Sequence, residues 1–475
     1  MISEIKKKLS LLLVFVLLAA LLPTAANADT QAEPEIPYFD LPCAITAIKV
    51  GLYSGSAALY GVELENPNGE GYDIGYYDFS RQFRKIAETD HSAVSIAPVS
   101  SERCYVLLEK NYESYAAAAA AASDADGLPV YSNRRFKVAT AAYESEAEAK
   151  AALVSGTELL KAGNNTSLIT SGDKAIFLFD SANISLALKP IGVNGEGEAR
   201  LRDDIYRGGI ELLRTSSGAY TVINYVGIED YVKGVLPYEV GGNWPLDSLK
   251  AQAACARTYA INNVNAYIDD GFDVRADTYS QVYHGVSGTT ESTNIAADET
   301  AGKFVRYEGV ICRVYYMSSD GGATESGANV FGERREYLTG VEDSYELAED
   351  YYNKSWSETK SEAALLSRLN RFGYELSDIE SITPVLSESG NVIAIEFASS
   401  GGETVTVDKT DCYMVPGLNS IRFNVEKLDA AFKFSGSGWG HNCGMSQWGA
   451  YSMAANFGFD CNAIIDFYFS GAYIG

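Results

Sequence analysis

The chain has 475 residues, of which 47% are apolar and 21% charged, so it can bury a sizeable core without stabilising cross-links. Its 37 basic and 63 acidic residues give a net charge of −26, which disfavours binding to nucleic acid or to an anionic membrane surface. A neutral glycan would not be repelled. With only three histidines, His91, His284 and His441, the chain is not expected to contain a multi-histidine metal site.

Residues 1–28 have the pattern of an export signal. Lys6, Lys7 and Lys8 precede an apolar run from Leu9 to Leu22, and 26–28 read Ala-Asn-Ala, a small-x-small cleavage pattern. The run is shorter than the roughly 20 residues that span a bilayer. We therefore expect a secreted, extracytoplasmic protein with no stable membrane span after cleavage. The alternative is an uncleaved N-terminal anchor.

Seven cysteines follow this pattern, and export would permit disulfides between them. No two of them have CxxC spacing, which disfavours a zinc or redox motif. We interpret most of them, such as Cys255 in an apolar run, as small buried hydrophobes.

Residues 29–100 alternate short apolar stretches with Gly/Asn turns, which predicts a small β-rich module. The next segment, 101–160, contains an internal repeat at an offset of 31 residues. Tyr112-Glu113-Ser114 matches Tyr143-Glu144-Ser145, and each copy reads as a strand, a polar turn and an Ala-rich helix. This predicts a βαβα domain that resembles a SPOR domain, which implies binding to glycan strands stripped of stem peptides. A generic α/β packing module explains the repeat equally well.

Residues 161–174 are polar and rich in Gly and Asn, which predicts a linker. From 175 to 475 the pattern indicates one large α+β domain. It opens with two apolar stretches, 206–213 and 220–226, which flank Ser216-Ser217-Gly218 as a hairpin.

The segment 227–264 predicts two helices with an acidic residue between them. The first helix should run from Ile228 to Leu236 and end at Pro237, which places Glu239 on a loop. The second should begin near Pro245 and bury an apolar stripe. Lys250 and Arg257 lie on neighbouring faces of that helix, so two cations are available near Glu239.

Two further segments are rich in glycine and hydrogen-bonding groups. Residues 277–326 contain the polar loop 281–288 and the turn Ser318-Ser319-Asp320-Gly321-Gly322. Residues 436–459 place glycines around Trp439 and His441. Glycine lets a backbone approach a ligand closely, and tryptophan suits the face of a sugar.

Together these segments resemble the SpoIID/LytB family, named after stage II sporulation protein D. The matching stretches are IEDYVKGVLPYEV, WPLDSLKAQAACARTYA, QVYHG, TAGKFVRYEG, SSDGGATES and GWGHNCGMSQWGA, in the family's order. The resemblance implies a peptidoglycan lytic transglycosylase acting on glycan strands, with Glu239 as the catalytic acid. The residues expected to bind substrate are Arg257, Lys250, Gln281, Tyr283, Ser319, Gly322, Trp439, His441, Ser446 and Gln447.

One carboxyl group suffices for this implied chemistry, whereas glycoside hydrolysis normally uses two. Glu239 would protonate the leaving oxygen of the MurNAc–GlcNAc bond and then, as a carboxylate, accept the proton of the MurNAc 6-hydroxyl as a 1,6-anhydro ring closes. The acid step requires a raised pKa, for which Tyr238, Val240 and Trp244 are the expected apolar neighbours. We therefore expect Arg257 to face the substrate rather than pair with Glu239. The alternative is that Glu239 forms an ordinary salt bridge with Arg257 or Lys250.

The sequence departs from the family in two stretches. Some members carry a zinc site in a pattern like DVCDDTHCQVY, but Arg275, Tyr279 and Ser280 stand in place of its ligands. We predict no metal and no cofactor, and a surface or site-lining role for His284. In the second stretch Asn442 and Cys443 replace Gly and Val, and Asn is well suited to a left-handed backbone. His441 either orients substrate or ties this loop together.

Two functions follow from these observations. The first is an exported lytic transglycosylase that cleaves denuded glycan strands with Glu239. The alternative is a non-catalytic, cell-wall-binding protein that enhances an amidase, as some family members have been described, so a cell-wall amidase is the second expected partner. A cysteine hydrolase is disfavoured, because neither Cys255 nor Cys443 has an evident His–carboxylate partner in the sequence.

Overall fold

The computed structural model describes residues 46–192, 197–352 and 354–475. The predicted export signal at 1–28 lies outside these ranges. Within them, no helix combines the length and apolar character needed to cross a bilayer. The architecture is mixed α+β, with most of the regular structure in sheets, as the sequence pattern predicts.

Sixteen strands precede the first motif segment. In chain order they are β1 (Ala47–Tyr53), β2 (Val62–Glu65), β3 (Tyr72–Tyr77), β4 (Phe83–Thr89), β5 (Ala93–Pro98), β6 (Cys104–Leu108), β7 (Leu128–Ser132), β8 (Arg135–Tyr143), β9 (Thr157–Lys161), β10 (Ser167–Ser171), β11 (Lys174–Asp180), β12 (Leu186–Pro190), β13 (Glu198–Leu201), β14 (Asp204–Arg207), β15 (Gly209–Arg214) and β16 (Tyr220–Gly227).

Twelve further strands follow, mostly in small sheets: β17 (Val274–Arg275), β18 (Val305–Tyr307), β19 (Val310–Ile311), β20 (Tyr316–Met317), β21 (Ser355–Ser361), β22 (Ser381–Leu386), β23 (Val392–Ala398), β24 (Thr404–Asp408), β25 (Phe423–Lys427), β26 (Ala431–Ser437), β27 (Met445–Ser446) and β28 (Tyr473–Ile474). The helices are α1 (Tyr115–Asp124), α2 (Glu146–Ala151), α3 (Ile228–Glu239), α4 (Leu246–Asn262), α5 (Glu291–Glu299), α6 (Gly327–Phe331), α7 (Ser344–Leu347), α8 (Glu362–Arg371), α9 (Asp411–Met414), α10 (Gln447–Phe457) and α11 (Cys461–Tyr468).

Two large sheets contain seventeen of these strands. The first has the order β17-β1-β16-β15-β12-β3-β4, and the second has the order β14-β13-β2-β5-β10-β11-β7-β8-β6-β9. The predicted hairpin is confirmed, because β15 pairs antiparallel with β16 from Gly209↔Tyr225 to Arg214↔Tyr220. β16 is rich in β-branched and aromatic residues and is buried along nearly its whole length, as befits a strand inside a sheet.

The repeat between 101 and 160 forms β6, α1, β7, β8, α2 and β9. Both strand–turn–helix copies are present, and Ser114 and Ser145 accept hydrogen bonds from the backbone at the two helix starts. These strands are continuous with the rest of the second sheet, because β7 pairs in parallel with β11. The repeat therefore does not have a sheet of its own.

The linker predicted at 161–174 is wrong. Strand β10 lies within it and pairs with β5 on one side and β11 on the other. Ser167 and Ile169 are buried, and Leu168 between them is half-buried, so the buried face of this strand includes a polar residue. Such a short strand has no clear polar/apolar alternation, and the Gly/Asn turn before it favoured a linker.

Three helices form the support of the first motif segment. α3, α4 and α5 pack through a small apolar cluster: Val232, Leu236, Val240, Leu249, Ala253, Ala296 and Ala297. α4 begins after Pro245, as predicted. Its many alanines leave little side-chain bulk, so it is buried on nearly every face.

The predicted end of α3 is wrong. The helix continues through Pro237 to Glu239, and the Val240 N–H closes its last turn on the Leu236 carbonyl at 3.0 Å. Proline removes one backbone donor, and in the last turn this loses one hydrogen bond while the helical φ of about −65° is kept. Glu239 is therefore held at the end of a packed helix and not on a loop.

Candidate functional site

Glu239 lies where the three motif segments meet. Its Oε1 accepts the Val282 N–H at 3.0 Å, and its Oε2 accepts the Gln447 side-chain amide at 3.4 Å. The Tyr316 hydroxyl also hydrogen bonds to its carboxyl group. The contacts thus come from QVYHG, from the strand before SSDGG, and from GMSQ. Segments that are up to 208 residues apart in the chain converge on one carboxyl group.

The Glu239 carboxyl group is largely removed from water and has no cationic partner. Its burial raises its pKa above the usual range, an effect that the bonds from Val282, Gln447 and Tyr316 partly oppose because they favour the carboxylate. Within the described ranges, Glu239 forms no ion pair with lysine or arginine; the two candidates pair elsewhere. A carboxyl group with a raised pKa is better suited to act as a general acid than an ordinary exposed glutamate.

Arg257 does not face a substrate. It is fully buried and forms a forked pair with Glu229, with Nη2 to Oε2 at 2.6 Å. Its remaining N–H groups donate to the backbone carbonyls of Ala297 and Lys303, at 3.2 and 3.1 Å. Lys250 pairs with Glu299 at 2.6 Å. The expectation that Arg257 avoids Glu239 agrees with this geometry, but neither cation is placed to bind a glycan.

Gln281 and Tyr283 lie beneath the site. Gln281 is fully buried; it accepts the Tyr231 hydroxyl at 2.9 Å and donates to the Tyr316 hydroxyl at 2.8 Å. It therefore orients the tyrosine that touches Glu239. Tyr283 is buried and donates to Asn224 at 2.7 Å, away from the acid.

His284 packs against Tyr238, the residue that precedes Glu239. The two rings lie 4.6 Å apart, and His284 Nδ1 is 2.9 Å from Asp204 Oδ2. Tyr238 is 37% exposed, so the ring pair lies at the protein surface. The His284 side chain is 43% exposed, and its surface or site-lining role stays a prediction.

The stretch that replaces the zinc pattern is tied together by its own side chains. Arg275 pairs with Asp277 at 2.6 Å and lies over the ring of the exposed Tyr279. The Ser280 hydroxyl accepts the Arg275 N–H at 3.1 Å. A guanidinium group therefore occupies the part of this loop where a metal ligand stands in other members.

The glycine-rich loop around His441 is held by the backbone conformation of Asn442 and by a hydrogen bond to the His441 side chain. Asn442 adopts the left-handed conformation expected of it, with φ of 56°. His441 Nδ1 accepts the Cys443 N–H at 3.1 Å, and burial lowers the pKa of His441 to about 4. The imidazole is therefore neutral and ties the loop together.

The Ser319 turn and Trp439 are joined across two motif segments. Ser319 is buried and exchanges both backbone hydrogen bonds with Trp439, whose indole is 43% exposed. The Gly322 backbone, at φ of 112°, donates to Asp320 Oδ1. Trp439 is thus the member of this pair that is available to a ligand.

Next to Gln447 lies a cluster of aromatic rings that sequence reasoning largely missed. Trp244 and Trp448 have ring centroids 4.9 Å apart, and Tyr351 stacks on Trp448 at 5.0 Å. Tyr316 was missed as well, because an isolated tyrosine in a short strand carries no distinctive spacing. The neighbouring Ser446 is buried and caps α10.

Fold and site together define an α+β protein in which three separated segments enclose a glutamate with a raised pKa. The family model described as "Stage II sporulation protein" matches residues 216–307, which includes α3 and α4. The chain is 32% identical over 309 residues to an uncharacterised protein of Brachyspira hyodysenteriae, covering 61% of this chain and 80% of that one. The chain therefore belongs to the SpoIID/LytB family.

Two named relatives come from Bacillus subtilis. Stage II sporulation protein D is 25% identical over 268 residues, covering 53% of this chain and 75% of the relative. The amidase enhancer is 27% identical over 286 residues, covering 50% of this chain and 39% of the relative. The chain thus spans less than half the length of the amidase enhancer.

Proposed function

We propose that the protein is a lytic transglycosylase that cleaves the MurNAc–GlcNAc bond of denuded glycan strands. The observation that carries this proposal is the surroundings of Glu239: one carboxyl group with a raised pKa, hydrogen-bond donors from the other two motif segments and, among the described residues, no paired cation. The protonated Glu239 donates its proton to the glycosidic oxygen as the bond to C1 breaks. The resulting carboxylate accepts the 6-hydroxyl proton while the 6-oxygen bonds to C1. No water is consumed, so a second carboxylate is not required.

The neighbours of Glu239 support both halves of this cycle. Burial favours the acid form before cleavage, and the N–H of Val282 and the amide of Gln447 stabilise the carboxylate after it. The exposed Trp439 and the rings around Trp448 offer flat apolar surfaces that suit pyranose faces.

The test is a digestion of denuded peptidoglycan by wild type and by Glu239→Gln, with products analysed by mass spectrometry. We expect 1,6-anhydro-muramic ends from wild type and a loss of about 10²–10⁴-fold in Glu239→Gln, the range for removing a general acid. Glu299→Gln, in which an exposed glutamate paired with Lys250 is altered, is the matched control. Ordinary reducing ends, or no cleavage by folded wild type, would refute the proposal.

The competing function is that of a non-catalytic enhancer of an amidase, and a relative bears that name. The two functions predict different results for Glu239→Gln. If the protein is an enhancer, this variant should retain full enhancement of a cell-wall amidase and full glycan binding. A folded Glu239→Gln that loses activity in the anhydro-product assay would exclude this alternative.

We also propose that the repeat at 101–160 is a SPOR-like contact for denuded strands. Because its sheet is shared with β11, the segment should be tested within the whole chain. Glu239→Gln, which would bind without cleaving, should pellet with denuded sacculi and not with sacculi that retain stem peptides. Equal pelleting with both would contradict this proposal.

We propose further that the protein acts outside the cytoplasm, in the cell wall. The export pattern at 1–28 and the neutral substrate support this location. Amino-terminal sequencing of the exported protein should begin at Asp29. A start at Met1 would indicate the uncleaved anchor instead.

A further inference from the structure

Three buried carboxyl groups lie behind the start of α10. Asp320, Asp343 and Glu346 are each fully buried, and one oxygen of each lies within 4.8 Å of the others. A Cβ on Gly449, in the first turn of α10, would clash with Asp343 Oδ2, so the cluster lies directly against this helix start. Among the described residues, no lysine, arginine or histidine forms an ion pair with any of the three.

Glu346 is the member of this carboxyl cluster that accepts the most hydrogen bonds. Its Oε1 accepts the Gly321 N–H at 2.8 Å and the Tyr351 hydroxyl at 2.5 Å. Its Oε2 accepts the Asp320 N–H at 2.7 Å and the Ser446 hydroxyl at 2.5 Å. Four donors therefore satisfy both oxygens of the Glu346 side chain.

Asp320 is the member with a carboxyl oxygen that has no hydrogen-bond partner. Its Oδ1 accepts the Gly322 N–H, but its Oδ2 is buried with no hydrogen bond. The carboxyl group of Asp343, which accepts the Glu346 N–H and the Tyr468 hydroxyl, lies within hydrogen-bonding reach of Asp320. Burial, and then the charge of Glu346, raise the pKa of Asp320 well above its usual range. A proton on Asp320 turns the unpartnered carboxyl oxygen into a donor to Asp343.

The carboxyl cluster connects to Glu239 through the start of α10. Ser446 donates to Glu346 and accepts the Gly449 N–H at 3.0 Å, which caps the helix. Gln447, the next residue, donates to Glu239.

We propose that Glu346, supported by Asp343 and a protonated Asp320, is a positioning residue that holds the Gln447 amide against Glu239 through Ser446. The inference rests on the proposed function only for its kinetic consequence. For the structure, the inference states that Ser446 acts on Glu239 only through Gln447.

The first experiment uses Ser446→Ala, which removes one donor to Glu346 and leaves the other three. We expect kcat for anhydro-product formation to fall about tenfold with KM within about twofold, because only the reacting geometry is loosened. Loss of the Gln447 donor also raises the pKa of Glu239, so the alkaline limb of the pH–rate profile moves to higher pH. Ser344→Ala, an exposed serine on α7, should leave both unchanged.

Gln447→Ala should move the alkaline limb in the same direction, and the double variant should move it no further. An unmoved limb in Ser446→Ala, or shifts that add in the double variant, would overturn the proposal. The same titration can be followed without turnover by carboxyl ¹³C NMR, with the Glu239 signal assigned from Glu239→Gln. If wild type makes no anhydro product, the NMR titration still decides whether Ser446 acts through Gln447.

The second experiment distinguishes a shared proton from a bound cation. Asp320→Asn supplies an amide donor to Asp343, so its Tm should stay within about 2 °C of wild type, whereas Asp320→Ala should lower Tm by about 5 °C or more. Ca²⁺ and EDTA should leave the Tm of wild type unchanged. A rise with Ca²⁺ that is absent in Asp320→Asn would show that a cation fills the cluster and would overturn the proton assignment.

Discussion

Glu229 and Glu239 lie in the first and last turns of α3 and have opposite surroundings. Glu229 accepts a forked pair from the fully buried Arg257 and a further bond from the Gly302 N–H. Glu239 has neutral donors only, and burial raises its pKa. On one helix, therefore, a glutamate paired with a buried cation serves the fold, whereas the pKa of a glutamate that has only neutral donors among the described residues is raised.

The largest expected effect is that of Glu229→Gln. It leaves Arg257 charged and buried without its counter-ion, which should lower the free energy of unfolding by about 3–5 kcal/mol. Urea unfolding of this variant measures the loss. A loss under about 1 kcal/mol would show that water reaches Arg257 and would weaken the contrast between the two glutamates.

Arg257→Lys should have an intermediate effect. Lysine keeps the charge but cannot reproduce the forked contact with Glu229 or the bonds to the Ala297 and Lys303 carbonyls. We expect a loss of about 1–3 kcal/mol in urea unfolding, with the pH–rate profile unmoved. A displaced profile would mean that Arg257 influences Glu239 after all.

Glu239→Gln should have a smaller effect on stability, and of opposite sign. Because the folded-state pKa is raised, wild type is most stabilised below the unfolded-state pKa of about 4.3 and loses that contribution as pH rises through the folded-state pKa. The glutamine variant lacks this decline, so the difference between the two unfolding free energies should grow from pH 4 to pH 7. Parallel curves over this range would indicate that Glu239 is not desolvated.

Lys250→Gln should have the smallest effect. Its pair with Glu299 is partly exposed and should contribute no more than about 1 kcal/mol. Since Lys250 does not contact Glu239, the alkaline limb of the pH–rate profile should stay in place. A shift to higher pH would reveal a long-range interaction between the two groups.

The sequence motifs located Glu239 and its partner Gln447, because both lie in stretches with distinctive spacing. The sequence motifs did not show that Arg257 pairs with Glu229. A cation on this face of α4 is compatible both with a buried ion pair and with a substrate-binding site. The α3 end was misjudged because the effect of a proline depends on its distance from the helix end. The linker at 161–174 was misjudged because strand pairing is decided by distant residues.

The pairing of β1 with β16 and β17 has a consequence for how the chain acquires its structure. Ala47 is matched with Gly227, and Val50 with Val274, so the first described strand closes a loop of well over a hundred residues. Such non-local pairing slows folding, because loop-closure entropy is lost before the contacts form. A chain that emerges from its amino end must keep β1 unpaired until the segment that carries Glu239 has also emerged. Truncation after residue 174 would therefore leave β1 without its neighbours, and we expect such fragments to aggregate along that exposed strand.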